Sequence, residues 1–496
     1  MLAAATENFV KMAKVTPSYR VLFGEAGGFS AGQIAWAVKG ELFGLSQAEH
    51  FYAVTTDSRE LARGDIFFAL PGENADGHRY LEKAFAAGAG LAVVSKTWYL
   101  QNRPEGKPPL DFARGLRLLV VPDTLKAFGD LAAWYRGRFS LKVAGITGSS
   151  GKTTAKGMSM AALATSFPAS GSLGNFNNLI GLPLSIFTLK KEHRAAVYEI
   201  GISKLGEMER VALICRPDFG VVLNIGDTHL EGLGSRENVM REKLKLADGL
   251  PPGGKLFLNA DDPMLSRYRA RPEVQLSWFG IEKTADYRAS ELNPNEKGGY
   301  DFVYNGKLPV SLSIMGRHQI YNALVALALA ETVGADLKRA KVALENFRPV
   351  AWRMELEQVA GISILNDSYN ANPDSMRAAL ATLAEQKAAR RVACLGDMRE
   401  LGEKSKALHA EVGKCAAEAK PDLLAAIGPE SKALAEAAVA AGLDAKRVLW
   451  FADKKEALGF LVDNLQAGDF VLVKASRGTG LDVLVRGLKE NLAGRN

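Results

Sequence analysis

The sequence predicts an α/β protein of three domains: a central domain on a P-loop-type, mostly parallel sheet, flanked by an N-terminal α/β domain and a C-terminal Rossmann-like domain. Three observations carry this. The 496 residues fit about three domains of ordinary size. Short apolar runs alternate with helical stretches from residue 29 onward. The stretch VAGITGSSGKTTAK, Val143 to Lys156, joins an apolar strand to a Gly-Ser-Lys turn that opens a helix. The expected boundaries are 1–28 for an unpatterned N-terminal extension, then 29–140, 141–349 and 350–496 for the domains.

In the first domain FYAVTTDSR and DIFFALPG read as strands and YLEKAFAAGAG as a helix stopped by glycine. LAVVS and LRLLVV follow as strands, and Asp123 starts an amphipathic helix. In the second, AAVYEIG, FGVVLNIG and KLFLNA are apolar throughout, as strands covered on both faces are. Polar residues stand where those strands end: Glu199, Asn224, Asp261 and Asp262. In a doubly wound sheet these carboxyl ends line the ligand crevice. The third domain repeats the alternation with ISILNDS, RVACLGD, LLAAIG, RVLWFA and DFVLVKAS, leaving Asp367, Asp397 and Lys474 at strand ends.

Composition narrows the function classes. The net charge of +7 comes without a basic run or an aromatic-basic stripe, so no nucleic-acid partner is expected. Three widely spaced cysteines, Cys215, Cys394 and Cys415, form neither a disulfide framework nor a zinc pattern, which suits a reducing cytoplasm. No apolar run approaches membrane-spanning length, and no secretory leader pattern is visible.

In the Gly-Ser-Lys turn, Gly148, Ser149 and Ser150 let successive backbone N–H groups converge on one anion. Lys152 would reach the β- and γ-phosphates, and Thr153 would place its hydroxyl on Mg²⁺. The match to the full phosphate-loop pattern is partial, GxxGKT, and a plain loop is the alternative. His229 and Glu231 follow the VVLNIG strand and, with Glu199 and Thr153, offer ligands for Mg²⁺; His229 could instead bond a loop carbonyl. Lys243 lies on the helical stretch RENVMREKLKLADG, where pattern alone makes it a solvated charge. Lys474 and Arg477, beyond a strand end, suit an anion. His318 and Asn322 share a helix face and suit either a heterocycle edge or a filled helix N-terminus. Residues 369–373, YNANP, read as a polar turn.

Together the motifs resemble the Mur ligase family of bacterial cell-wall synthesis, over about residues 30 to 490. DSR and DGH carry the resemblance in the first domain, and TGSSGKTT, GNFNNLIGLP, YEIGISKLGEM, NIGDTHLEGLGS and MGRHQIYNAL in the second. NDSYNANPDSM, CLGDMRELGEKS and VLVKASRG carry it in the third; SYNANPDSM with LGDMRELGE points to one member in particular. The resemblance implies a cytoplasmic ATP-dependent ligase, expected to be a monomer, that joins D-alanyl-D-alanine to UDP-N-acetylmuramoyl tripeptide through an acyl phosphate. It implies that Thr147, Gly148, Ser149, Ser150, Gly151, Lys152 and Thr153 wrap the triphosphate, with Asn322, Arg353 and Asp367 also on the nucleotide. Mg²⁺ would be held by Thr153, Glu199 and His229 and by a carbamylated Lys243, and Lys152, Glu199, His229 and Lys243 would be catalytic. Ser58 and Arg59 would face the uridine, Asn175, Asn177 and Asn178 the sugar diphosphate, while Lys474 and Arg477 would grip substrates as the third domain closes. Two positions depart from the family pattern: Asn366, where an aspartate is usual, and Trp352, where a glycine precedes the arginine. Rival readings are a related ligase that adds a single amino acid or extends folates with glutamate, and a non-catalytic nucleotide-binding regulator.

Overall fold

A computed structural model describes residues 18–24, 27–72, 75–102 and 116–494. Three larger sheets follow one another along the chain. The first has the order Arg20–Leu22, Ala53–Thr55, Ile66–Phe68, Leu91–Ser95, Leu118–Val121, Glu41–Phe43, parallel inside and antiparallel at both edges. Its edge strand Arg20–Leu22 lies within the stretch expected to be an unpatterned extension. At three residues, with Val21 its buried member, it is too short for a periodic signal. The part of that stretch before residue 18 lies outside the described residues. Asp123 caps the helix Thr124–Arg136 as its sequence position implies, accepting from the Lys126 N–H at 2.8 Å.

The central sheet runs Ala169–Gly171, Ala195–Glu199, Lys142–Thr147, Phe219–Val222, Lys255–Asn259, Gln275–Gly280, all parallel. Lys142–Thr147 therefore sits between two neighbours whose carboxyl ends, at Glu199 and Val222, flank its own. Beyond Gln275–Gly280 an antiparallel ribbon of Tyr287–Pro294, Tyr300–Tyr304 and Leu308–Ser311 extends the sheet. The third sheet runs Glu355–Val359, Ile362–Asp367, Asp469–Lys474, Arg390–Gly396, Leu423–Ile427, Val448–Phe451. It is parallel apart from its first strand. Pairing of Ile362–Asp367 with Asp469–Lys474 sets Asp367 directly beside Lys474.

Aromatic packing joins the first two domains. Phe187 of the central domain is fully buried, and its ring lies 5.4 Å from Phe23, 5.6 Å from Phe128 and 5.8 Å from Tyr135. The Tyr135 hydroxyl donates to the Leu189 carbonyl at 2.7 Å. Replacing Phe187 with Ala should lower the free energy of unfolding by about 3–5 kcal/mol, read from a urea titration.

Candidate functional site

The carboxyl ends of the central strands and the facing edge of the third domain enclose a cavity of about 490 Å³. The phosphate loop forms its floor. Gly151 enters the helix Lys152–Ala164 at φ +81°, a conformation that favours glycine, and a Cβ there would lie 2.9 Å from Asn322 Oδ1. The loop is braced by the end of the next strand. The Ser149 N–H donates to the Asn224 carbonyl at 3.1 Å, the Ser150 N–H to Asn224 Oδ1 at 2.9 Å, and the Gly226 N–H to Ser149 Oγ at 2.7 Å. Lys152 Nζ folds back onto the Gly148 carbonyl at 2.8 Å. Burial lowers the Lys152 ammonium from its ordinary range; Glu199 opposes the shift and Arg353 adds to it.

Glu199 ends its strand buried in the cavity wall. Its Oε1 accepts from Asn177 Nδ2 at 2.8 Å. Burial pushes this carboxyl up, but the charges of Lys156, Arg353 and Lys152, with the Asn177 hydrogen bond, hold it below the usual range. Glu199 Oε2 and Thr153 Oγ1 are buried without a hydrogen-bond partner among the described residues. Such orphaned oxygens in one wall fit a hard cation that takes oxygen ligands. No group of three or more His, Cys, Asp and Glu side chains gathers there among the described residues, so most ligands would come from substrate and water.

Of the residues proposed from sequence, Ser149, Ser150, Gly151, Lys152, Thr153, Asn175, Asn177, Asn178, Glu199, His229, Asn322, Arg353, Asp367, Lys474 and Arg477 all line this cavity. Thr147 and Gly148 are not among the residues that line it. Lys243, on the helix Arg236–Leu244, is only 1 % exposed and is not among the residues that line the cavity, although pattern alone makes this lysine a solvated charge. Burial, and then the charge of Lys152, drives its amine far below the usual lysine range, with Glu242 opposing. Ser58 and Arg59 do not line the cavity: they follow the strand Ala53–Thr55, and Arg59, 86 % exposed, pairs with Asp57.

The third domain contributes the opposite wall. Lys474 Nζ donates to Asp367 Oδ2 at 2.6 Å and to the Asn370 carbonyl at 2.9 Å. The guanidinium of Arg353 stacks on Tyr369, 3.9 Å from the ring centre. Trp352 adopts φ +62°, the region that favours glycine, and its ring packs on the Arg477 guanidinium at 4.4 Å. Asn366 is buried on the other side of its strand from Asp367, accepting from Ser368 Oγ at 2.7 Å, and does not face the cavity. Burial, aided by Lys474 and opposed by Asp367, lowers the His318 imidazole to about 4.

Sequence reasoning missed three participants. Asn372, in what read as a mere turn, donates to the Ser149 carbonyl at 3.0 Å across the domain boundary. Glu400 pairs with His229 Nδ1, and its carbonyl accepts from the Glu231 N–H at 3.2 Å. Lys156 grips two carbonyls beside Glu199; its place one helical turn after Lys152 was the available signal.

Residues 50–136 match the Mur ligase family catalytic domain, residues 146–330 the Mur ligase middle domain, and residues 352–477 the Mur ligase glutamate ligase domain. The chain is 34% identical to the UDP-N-acetylmuramoyl-tripeptide--D-alanyl-D-alanine ligase of Bacillus subtilis, covering 92% of this chain and 98% of that one. It is 37% identical to the Escherichia coli protein of the same name, covering 88% and 94%. Among solved structures it resembles MurF from Acinetobacter baumannii, with a TM-score of 0.84 and 32% identity over 93% of this chain and 99% of that one. It also resembles MurF ligase from Thermotoga maritima in complex with ADP, with a TM-score of 0.78 and 26% identity over 89% and 98%. With its three matched domains in series and relatives this similar end to end, the chain belongs to the Mur ligase family.

Proposed function

We propose that this ATP-dependent ligase joins D-alanyl-D-alanine to UDP-N-acetylmuramoyl tripeptide in the cytoplasm. The observation that carries the reading is the single cavity in which a phosphate loop, Glu199 and the Asp367–Lys474 pair converge between two domains. The names of the relatives choose the two substrates.

A carboxylate acylates poorly, because its leaving group would be an oxide. Transfer of the ATP γ-phosphoryl group to a peptide carboxylate oxygen releases ADP and leaves an acyl phosphate. Attack by the dipeptide amine forms the amide bond and expels phosphate. The protein's part is to bring anions together and spread their charge. Backbone N–H groups of Gly151 to Thr153 and the Lys152 ammonium take the triphosphate, while Asn322, Arg353 and Asp367 face the rest of the nucleotide. Asn175, Asn177 and Asn178 take the sugar diphosphate, Ser58 and Arg59 the uridine end. Lys474 and Arg477 sit where the third domain would close on substrate and keep water from the acyl phosphate.

The orphaned oxygens of Thr153 and Glu199 support binding of Mg²⁺, with His229 at a second ion. Bound there, Mg²⁺ would neutralise charge on the transferring phosphoryl group. Burial holds the Lys243 amine well below the usual lysine range, which favours the neutral form that adds to carbon dioxide, losing a proton and becoming an anionic carbamate. That group would supply the oxygen a hard cation prefers.

Phosphate release from ATP should require the UDP-muramoyl tripeptide and D-alanyl-D-alanine together; a preference for single amino acids as acceptor would overturn the reading. Lys152→Ala should cut turnover at least about a hundredfold, as loss of a preorganised charge donor does. Lys243→Ala should lose activity and regain part of it in millimolar short carboxylic acids, an assay in which no rescue of a folded variant counts against the carbamate.

A further inference from the structure

Lys156 is a buried lysine to which the proposed chemistry assigns no step. It is 7 % exposed, and its Nζ donates to the Ser172 carbonyl at 3.2 Å and to the Gly174 carbonyl at 2.9 Å. Burial lowers its ammonium from the ordinary range and the charge of Glu199 opposes the shift, while the direct contacts of Nζ are these two carbonyls. An ammonium that donates to two carbonyls meets part of its hydrogen-bonding need and holds those carbonyls in place. What it fixes is the start of the loop that carries Asn175, Asn177 and Asn178. Lys156 is four residues after Lys152, on the same helix face, so one helix holds the phosphate loop at its tip and this second loop one turn later.

The second loop is tied to the catalytic wall at three further points. Ser172 Oγ accepts from the Glu199 N–H at 2.8 Å, Asn177 Nδ2 reaches Glu199 Oε1 at 2.8 Å, and the Asn177 carbonyl accepts from the Gly201 N–H at 2.8 Å. We propose that Lys156 is a positioning residue which, through the Ser172 and Gly174 carbonyls, holds the Asn175–Asn178 loop in register for the sugar-nucleotide peptide. This rests on the function proposed above, in which that loop meets the UDP-muramoyl peptide.

Calorimetric titration separates the two. Lys156→Met keeps the aliphatic stem and removes the donor. It should weaken binding of UDP-N-acetylmuramoyl tripeptide by about ten- to a hundredfold, the usual loss when a residue orienting a binding group is removed. ADP affinity should stay near that of the unaltered protein, and Lys156→Gln, which retains an N–H donor, should recover part of the loss. Ser172→Ala, which leaves the carbonyl grip but frees the Glu199 N–H, gives a second reading of the loop if Lys156→Met does not fold. It should also weaken the peptide nucleotide selectively. Equal weakening of both ligands, or of neither, overturns the positioning role. Failure of the unaltered protein to bind the UDP-muramoyl peptide overturns the proposed function instead.

Discussion

The phosphate loop is held in shape by its neighbour strand. Asn224 and Gly226, at the end of Phe219–Val222, supply a carbonyl, a side-chain oxygen and an N–H to Ser149 and Ser150. Those contacts set the shape of the loop backbone without help from a ligand, the kind of preorganisation that spares a site from rearranging when charge enters. The parallel pairing of Phe219–Val222 with Lys142–Thr147 is what brings Asn224 within reach. Sheet register, loop shape and site geometry are in this sense one constraint.

The opposing wall follows the same logic in another sheet. Parallel pairing of Ile362–Asp367 with Asp469–Lys474 places the two terminal residues side by side, and they close as an ion pair with little exposure. Removing one partner of a pair this buried would leave the other charge uncompensated at a large cost. Trp352 shows how a departure from pattern is absorbed. Its left-handed backbone is unfavourable for a side chain, yet the ring gains a stack on Arg477, and Arg353 next to it still reaches the cavity.

Much of this was legible in the sequence, for physical reasons that differ by element. Strands covered on both faces declare themselves as apolar runs, and AAVYEIG, FGVVLNIG and DFVLVKAS became the buried strands that position Glu199, Asn224 and Lys474. The edge strand Arg20–Leu22 and the ribbon from Tyr287 to Ser311 were not read, since short or half-exposed strands carry too few apolar residues. Lys243 defeats pattern because five of the nine residues of its helix are charged, and only tertiary packing decides which charge faces inward. Asn372 was illegible for a related reason: its partner Ser149 is 223 residues away, and no local rule reports such a distance.

The hydrogen bond from the Asp227 N–H to Asp374 Oδ2, at 3.1 Å, brings a helix start of the third domain against the backbone at Gly226. A β-carbon at residue 226 would stand 1.8 Å from that same oxygen. The hydrogen atom of this glycine is thus a spacer set by a remote segment of chain. Any bulkier group would push the Asp374 carboxylate aside and break its bond to the Asp227 N–H.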